Sequence, residues 1–198
     1  MNFAKALACA LLLVPALAAA AATPPAGPLP DDSLYRLEDT LTDQDGKDFT
    51  LADGRGRPRI VTMFYASCRF VCPLIVDSAK GIDRSLSAVE RDRLGYLLVS
   101  IDPARDDPAA LKAVADQRGL AAPRWTLARA EAGTVRRLAA VLGVRYRELA
   151  DGEFNHNTVL VLLDADGRVV ARTEALGSKP DPDFLAAVKA ALKPPAAG

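Results

Sequence analysis

The stretch RIVTMFYAS, Arg59 to Ser67, stays largely apolar after its first residue and shows no regular alternation of apolar with polar positions. A strand with one wet face alternates. A run like this belongs to a strand covered on both faces, as parallel strands are between helical layers. A second such run, YLLVSIDP from Tyr96 to Pro103, ends at a proline that cannot donate to a ladder. Two strands of this kind need cover on both sides, and the segments after them supply it. In PLIVDSAKGIDRSLSAV the positions Ile75, Ala79, Ile82 and Leu86 recur at helical spacing. Pro73 suits the first turn of that helix, where its missing N–H has no partner to lose. Further helices are predicted near Pro108 to Gln117, Glu131 to Leu142 and Asp181 to Leu192.

Turn chemistry completes the pattern. Asp45-Gly46 sits between two short runs in LEDTLTDQDGKDFTL, and Asp164-Ala165-Asp166-Gly167 divides NTVLVLLDADGRVVAR, so both segments read as hairpins. The predicted order is β-hairpin, β, α, β, α, α, β-hairpin, α. It describes an α/β fold, a mixed sheet flanked by helices. This is the order of a thioredoxin-like fold with an added N-terminal β-hairpin.

The first residues are of another kind. One positive charge, Lys5, precedes an uncharged Ala- and Leu-rich run from Ala6 to Ala22 that is broken by Pro15 and ends in small residues. That is the layout of a secretory signal peptide over 1–22. The rival, an uncleaved membrane anchor, is disfavoured because the run is short of the roughly 20 strongly apolar residues a bilayer span needs. Cys9 sits too early to be the cysteine of a lipoprotein signal. A Pro-rich lead-in over 23–32, one domain over 33–193 and a disordered tail over 194–198 complete the division. About 165 residues are enough for one well-buried domain.

Lys plus Arg and Asp plus Glu number 25 each. Removing Lys5 leaves the acidic residues ahead by one. No basic stripe interleaved with aromatics appears, which argues against nucleic acid as a partner.

Export changes the cysteine arithmetic. Of three cysteines, Cys9 leaves with the leader, and the mature chain keeps Cys68 and Cys72 in SCRFVCP. They are a lone pair in a compartment where thiols oxidise unless they are reduced or metallated. They follow a buried strand, at the end where open α/β sheets place their ligands. Residues i and i+4 share a helix face, with Cα atoms roughly 6 Å apart from the standard rise and radius. That is within disulfide reach. The helix N-terminus favours thiolate, the form needed both for exchange and for metal.

A soft metal would want a third donor, and the chain has one histidine, His156, in GEFNHNTVLVLL just before a predicted strand. Alone, such a histidine reads as a polar residue at a strand start. Beside an exported cysteine pair it becomes a candidate ligand. Two Cys and one His suit Cu(I) in softness and number, whereas structural zinc normally takes four protein ligands.

Three blocks in this order carry a resemblance: Cys68-x-x-x-Cys72-Pro73 after MFYAS, then VSIDPARDDPAAL, then His156 before VLVLLDADGRVV. Together they resemble the Sco/SenC family across nearly the whole mature chain. The resemblance implies a thioredoxin-like fold on the outer side of a membrane, in the periplasm for a chain exported in this way. It implies one copper ion per chain, held by Cys68, Cys72 and His156. It implies a role in assembling the dinuclear copper site of cytochrome c oxidase, as copper donor, as thiol reductant of the oxidase subunit, or both. The partner is then the copper-site subunit or another periplasmic copper or thiol protein, met by a monomer. A membrane enters as the client's location or through an uncleaved signal.

Two positions depart from the family pattern. Arg69 and Phe70 stand where Pro and often an acidic residue are usual. Arg69 beside two thiolates should lower their pKa, unless it points to water, and Phe70 is either a docking contact or an inward-packing residue. DPARDDP is largely explained by capping: Asp106, Asp107 and Pro108 can start the next helix, with Arg105 pairing a carboxylate there rather than acting as a ligand.

The competing function is a metal-free thiol–disulfide reductase using Cys68 and Cys72, which would not need His156. A peroxidase on the same fold would want a T-x-x-C motif. Thr62 lies six residues before Cys68, so that motif is absent.

Overall fold

The structure is a computed structural model that describes residues 27–68 and 71–193. The leader, the first residues of the lead-in, the 194–198 tail, Arg69 and Phe70 therefore lie outside the described residues. Seven strands form one sheet in the order β2-β1-β5-β4-β3-β8-β9. In chain order the first five strands are β1 Thr40–Asp43, β2 Asp48–Thr50, β3 Arg59–Phe64, β4 Gly95–Ser100 and β5 Trp125–Ala130. They are followed by β6 Tyr146–Glu148, β7 Phe154–His156, β8 Leu160–Leu163 and β9 Val169–Thr173. The helices are α1 Val71–Arg84, α2 Ala88–Arg93, α3 Pro108–Arg118, α4 Ala132–Leu142 and α5 Pro182–Ala191. Among the described residues, no helix is long and apolar enough to cross a membrane.

The two apolar runs become the parallel centre, β3 beside β4, with Arg59 opposite Gly95 through to Phe64 opposite Ser100. Ile60 to Phe64 and all of β4 are buried. β8 pairs antiparallel with β3 on the other side, and Val61, Leu97 and Val161 have no exposed surface at all. The mixed, thioredoxin-like sheet and the added N-terminal hairpin are thus as expected. Pro73 lies in the first turn of α1, and Ile75, Ala79 and Ile82 are its buried stripe, while Leu86, expected on the same helix, is buried just past its end at Arg84.

Among the described strands and α-helices, three additions stand out. α2 is a short helix opened by a capping box between Ser87 and Glu90. β5 escapes a periodicity argument because WTLARA mixes Thr126 and Arg129 into six residues. It is held by partners rather than pattern, parallel to β4 and antiparallel to β1. The buried Gln44 side chain adds two bonds to its backbone, donating to the Trp125 carbonyl at 3.1 Å and accepting from the Leu127 N–H at 2.9 Å. The third addition is the hairpin β6–β7, a two-stranded sheet of its own. His156 is therefore the last residue of a separate strand, four positions before β8, and not simply the residue leading into it.

The β8–β9 turn supports the N-terminal segment. Leu34 N–H donates to the Gly167 carbonyl at 2.9 Å, and Ser33 Oγ donates to the Asp166 carbonyl at 2.5 Å. Gly167 has φ +82°, and a Cβ there would sit 2.6 Å from Cγ of the buried Tyr35. Gly46 has a similar φ of +78° with open space around it. Gly46→Ala should therefore cost only the left-handed backbone penalty of about 1–2 kcal/mol. Gly167→Ala should add an overpacking cost of about 1–3 kcal/mol. Denaturant unfolding of both variants checks this, and equal losses would show that Tyr35 does not press on the turn.

Candidate metal centre

The site begins where β3 runs out of partners. Ile101 N–H donates to the Phe64 carbonyl at 2.8 Å, and the chain then turns through Tyr65, Ala66 and Ser67 to Cys68. The turn is pinned from below. Ala66 N–H donates to Oδ2 of Asp106 at 2.9 Å, and Ser100 Oγ donates to the same oxygen at 2.5 Å. Asp106 is buried, and this burial raises its pKa against the hydrogen bonds that lower it. Asp107 alone caps α3, accepting from Ala110 N–H at 2.8 Å, so the expectation that Asp106 shares in capping is corrected. A carboxylate drawn under the cysteine turn cannot also face the helix end.

Cys72, in the first turn of α1, is buried, and Cys68 is half-buried. The Cys72 N–H donates to Cys68 Sγ at 3.4 Å. First-turn N–H groups lack a carbonyl within the helix, so the sulfur takes a position that a capping oxygen would otherwise fill. Both sulfurs thus project to one side, as the i,i+4 spacing predicts.

His156 arrives from β7. Phe154 and His156 share one face of that strand, opposite Glu148 and Tyr146 of β6. His156 Nδ1 is 2.9 Å from the Asn157 carbonyl. A carbonyl only accepts, so the proton sits on Nδ1 and the Nε2 lone pair is left for the site, a common device for orienting imidazole ligands. Nε2 lies 3.9 Å from Cys72 Sγ. The two sulfurs and a ring nitrogen of His156 are all within 4.8 Å of one another. Donors bonded at about 2.0–2.3 Å to a single ion stand about 3.5–4 Å apart. The Cys72–His156 pair already has that spacing. The three residues predicted from sequence are brought together, and their donor set fits one soft ion of low coordination number.

Burial controls their protonation. It pushes the Cys72 thiol well up, with Cys68 and the Asp106 charge adding to it and a backbone hydrogen bond at Tyr65 opposing. This corrects the expectation of a helix-stabilised thiolate at Cys72, since desolvation outweighs the helix terminus there. Burial lowers His156 below its ordinary 6.5, partly offset by the bond to Asn157. Without metal, the buried thiol and the imidazole are therefore both neutral near pH 7.

Tyr65 joins the two halves of the site. Its hydroxyl donates to Glu153 Oε2 at 2.9 Å and hydrogen-bonds with the Cys68 side chain. Its ring meets Phe154 edge-on at 5.3 Å and His156 at 5.8 Å. A cleft of ≈ 450 Å³ opens beside the thiols, lined in part by Tyr65, Cys68, Cys72, Val76, Val114 and Arg118. Sequence reasoning singled out neither Tyr65 nor Glu153. A tyrosine three residues before the first cysteine of the Cys68–Cys72 pair and an acid three before the sole histidine were the signals present. Arg105 does pair a carboxylate, Asp102, and is no ligand.

A thioredoxin-like sheet with two cysteines and a histidine converging at the C-terminal end of β3 defines a class of thiol and metal-binding domain. The SCO1/SenC family model matches residues 32–193. The chain belongs to the SCO1/SenC family. A 72-residue stretch is 32% identical to a protein of Stutzerimonas stutzeri described as copper-binding, covering 36% of this chain and 35% of that relative. The structure of Bradyrhizobium japonicum ScoI with copper bound is 25% identical with a TM-score of 0.62, covering 77% of this chain and 96% of that one. BsSco has a TM-score of 0.66 at 22% identity, covering 83% and 97%. It is described as a member of the Sco family of cytochrome c oxidase assembly proteins with a disulfide switch.

Two outcomes follow from the geometry. Mild oxidation should join Cys68 to Cys72 within one chain, seen by thiol titration and peptide mass spectrometry, whereas mainly disulfide-linked dimers would mean that the sulfurs diverge. Binding a soft monovalent ion at pH 7 should release protons, because the raised Cys72 must ionise to ligate. Affinity should therefore rise with pH across neutrality. His156, depressed below 6.5, begins to oppose binding only in acid below that value. Calorimetry in buffers of different ionisation enthalpy reads the proton count, and zero release at pH 7 would contradict a buried neutral thiol.

Proposed function

We propose that this chain is an exported copper-binding protein that serves the dinuclear copper site of cytochrome c oxidase, delivering copper to it or keeping its cysteines reduced. The observation that carries the reading is the convergence of Cys68 Sγ, Cys72 Sγ and a His156 ring nitrogen within 4.8 Å in a SCO1/SenC chain. Copper is cargo here rather than a permanent cofactor. Two thiolates and a neutral imidazole would hold one Cu(I) with a single net negative charge, and the soft donors match the soft ion. The half-exposed side of Cys68 and the adjacent cleft leave room for a client thiol to approach. The 1–22 leader supports a periplasmic location, and the protein works as a monomer in this reading.

The alternative is a dithiol reductase that uses Cys68 and Cys72 without metal. The proximity of the two sulfurs and the disulfide switch described for BsSco favour it. The orientation of His156 favours copper, because exchange depends on thiolate fraction, leaving group and access, none of which calls for an imidazole aimed at Cys72.

X-ray absorption at the copper edge should report one copper with sulfur scatterers and one imidazole, and a shell of nitrogen and oxygen alone would end the proposal. His156→Ala separates the two readings when copper retention and the rate of reducing a model disulfide are measured on the same protein. Retention falling by at least about tenfold with the rate unchanged supports copper transfer. Unchanged retention removes His156 from the site and moves the assignment to the reductase.

A further inference from the structure

The two halves of the site are not equally anchored. Cys68 and Cys72 stand on β3 and α1, which belong to the main core. His156 stands on β6–β7, two strands of three residues that are not hydrogen-bonded into the seven-stranded sheet. A hairpin of this length is at best marginally stable alone, so its position must come from contacts made by other elements.

Arg105, in the turn after β4, supplies several of these contacts at once. Its Nε donates to Oδ2 of Asp102, and its Nη2 donates to the carbonyl of Gly152 in the β6–β7 turn. Its guanidinium carbon lies 5.8 Å from the Phe154 ring centroid. Asp102 is buried, and its N–H donates to Ser100 Oγ at 2.9 Å, so this end of the link is fixed to the sheet. At the other end, Gly152 has φ +80°, and a Cβ there would come to 3.3 Å from Arg105 Nη1. Phe154, beneath the guanidinium, is two residues from His156 on the same face of β7 and packs on Tyr65. The planar fork matters, because one guanidinium bonds a carboxylate on one side and a carbonyl on another while lying over a ring. A lysine ammonium cannot hold that combination in one geometry.

We propose that Arg105 is a positioning residue that latches the His156 hairpin to the C-terminal end of β4 and so presents the imidazole to Cys68 and Cys72. It touches no ligand atom and acts through Gly152 and Phe154.

The test uses the wild type, Arg105→Ala, His156→Ala and the double variant. In metal-free protein, amide hydrogen exchange over residues 146–156 should accelerate in Arg105→Ala while β3 and β4 stay protected. Unchanged exchange there overturns the latch. Cu(I) is then titrated against a chromophoric chelator under reducing conditions. Arg105→Ala should weaken retention by about 10–100-fold, as outer-shell losses do. It should add nothing in the His156→Ala background, because residues acting through one another are non-additive. Equal losses in both backgrounds overturn the proposal. The copper measurement rests on the three-ligand reading, whereas the exchange measurement does not. If His156→Ala alone leaves retention unchanged, that reading fails, and the exchange result still decides the latch. Should Arg105→Ala not fold, Arg105→Gln gives the same comparison with an uncharged side chain of similar reach.

Discussion

The parallel ladder between β3 and β4 is the constraint on which the rest depends. Its register sets Phe64 beside Ser100, so the chain leaves the two strands at the same level. The turn carrying Tyr65 to Cys68 therefore lies against the turn carrying Asp102 to Asp106. The link between them is short: Asp106 receives Ser100 Oγ from below and Ala66 N–H from above. A buried carboxylate holding two donors is costly to leave half-satisfied, which makes the cysteine turn part of the core. The same β4 turn sends Arg105 toward the hairpin. One strand pair thus positions the sulfurs directly and the histidine at one remove.

Electrostatics at the site follow from this depth. Burial disfavours every charged form, so it raises Cys72 and lowers His156 together. The two shifts act in the same direction for storage, since neither group carries charge near neutrality. They act differently for ligation. The imidazole is ready at any pH above its depressed pKa, while the thiol must give up a proton. With both sulfurs ionised and the imidazole neutral, a monovalent ion would leave the site with one net negative charge.

Much of this was legible in the sequence because it is carried by strong local patterns. The apolar runs at Ile60 to Phe64 and Tyr96 to Ser100, the Pro73 helix start and the Asp-Gly turns all kept their assigned roles. Cys68, Cys72 and His156 were identified by residue type, spacing and scarcity, and the fold brings them together. What escaped was held by contacts distant in sequence. β5 owes its place to β1, β4 and the Gln44 amide rather than to its own alternation. The β6–β7 hairpin is too short to show a period. Asp106 looked like a cap because it adjoins the Asp107-Pro108 helix start, and only the fold shows that Ala66 and Ser100 reach it. The high pKa of Cys72 was equally hidden, since the helix terminus is visible in sequence and desolvation is not.

Tyr65 shows why the site behaves as one unit despite its divided support. Its backbone belongs to the cysteine turn, its hydroxyl bonds both the Cys68 side chain and Glu153 of the hairpin, and its ring packs on Phe154 and His156. A shift of the hairpin away from the core must break an O–H to carboxylate bond and separate two ring contacts. A shift of the cysteine turn must do the same from the other side. Hydrogen bonds to a charged acceptor are among the stronger ones, worth about 1.5–3 kcal/mol, and aromatic pairs add about 0.5–1.5 kcal/mol each beyond area burial. Those contributions are comparable with what keeps a three-residue-stranded hairpin in place at all. Tyr65 thus ties the cysteine turn to the hairpin from the side of β3, while Arg105 holds the same hairpin from the side of β4.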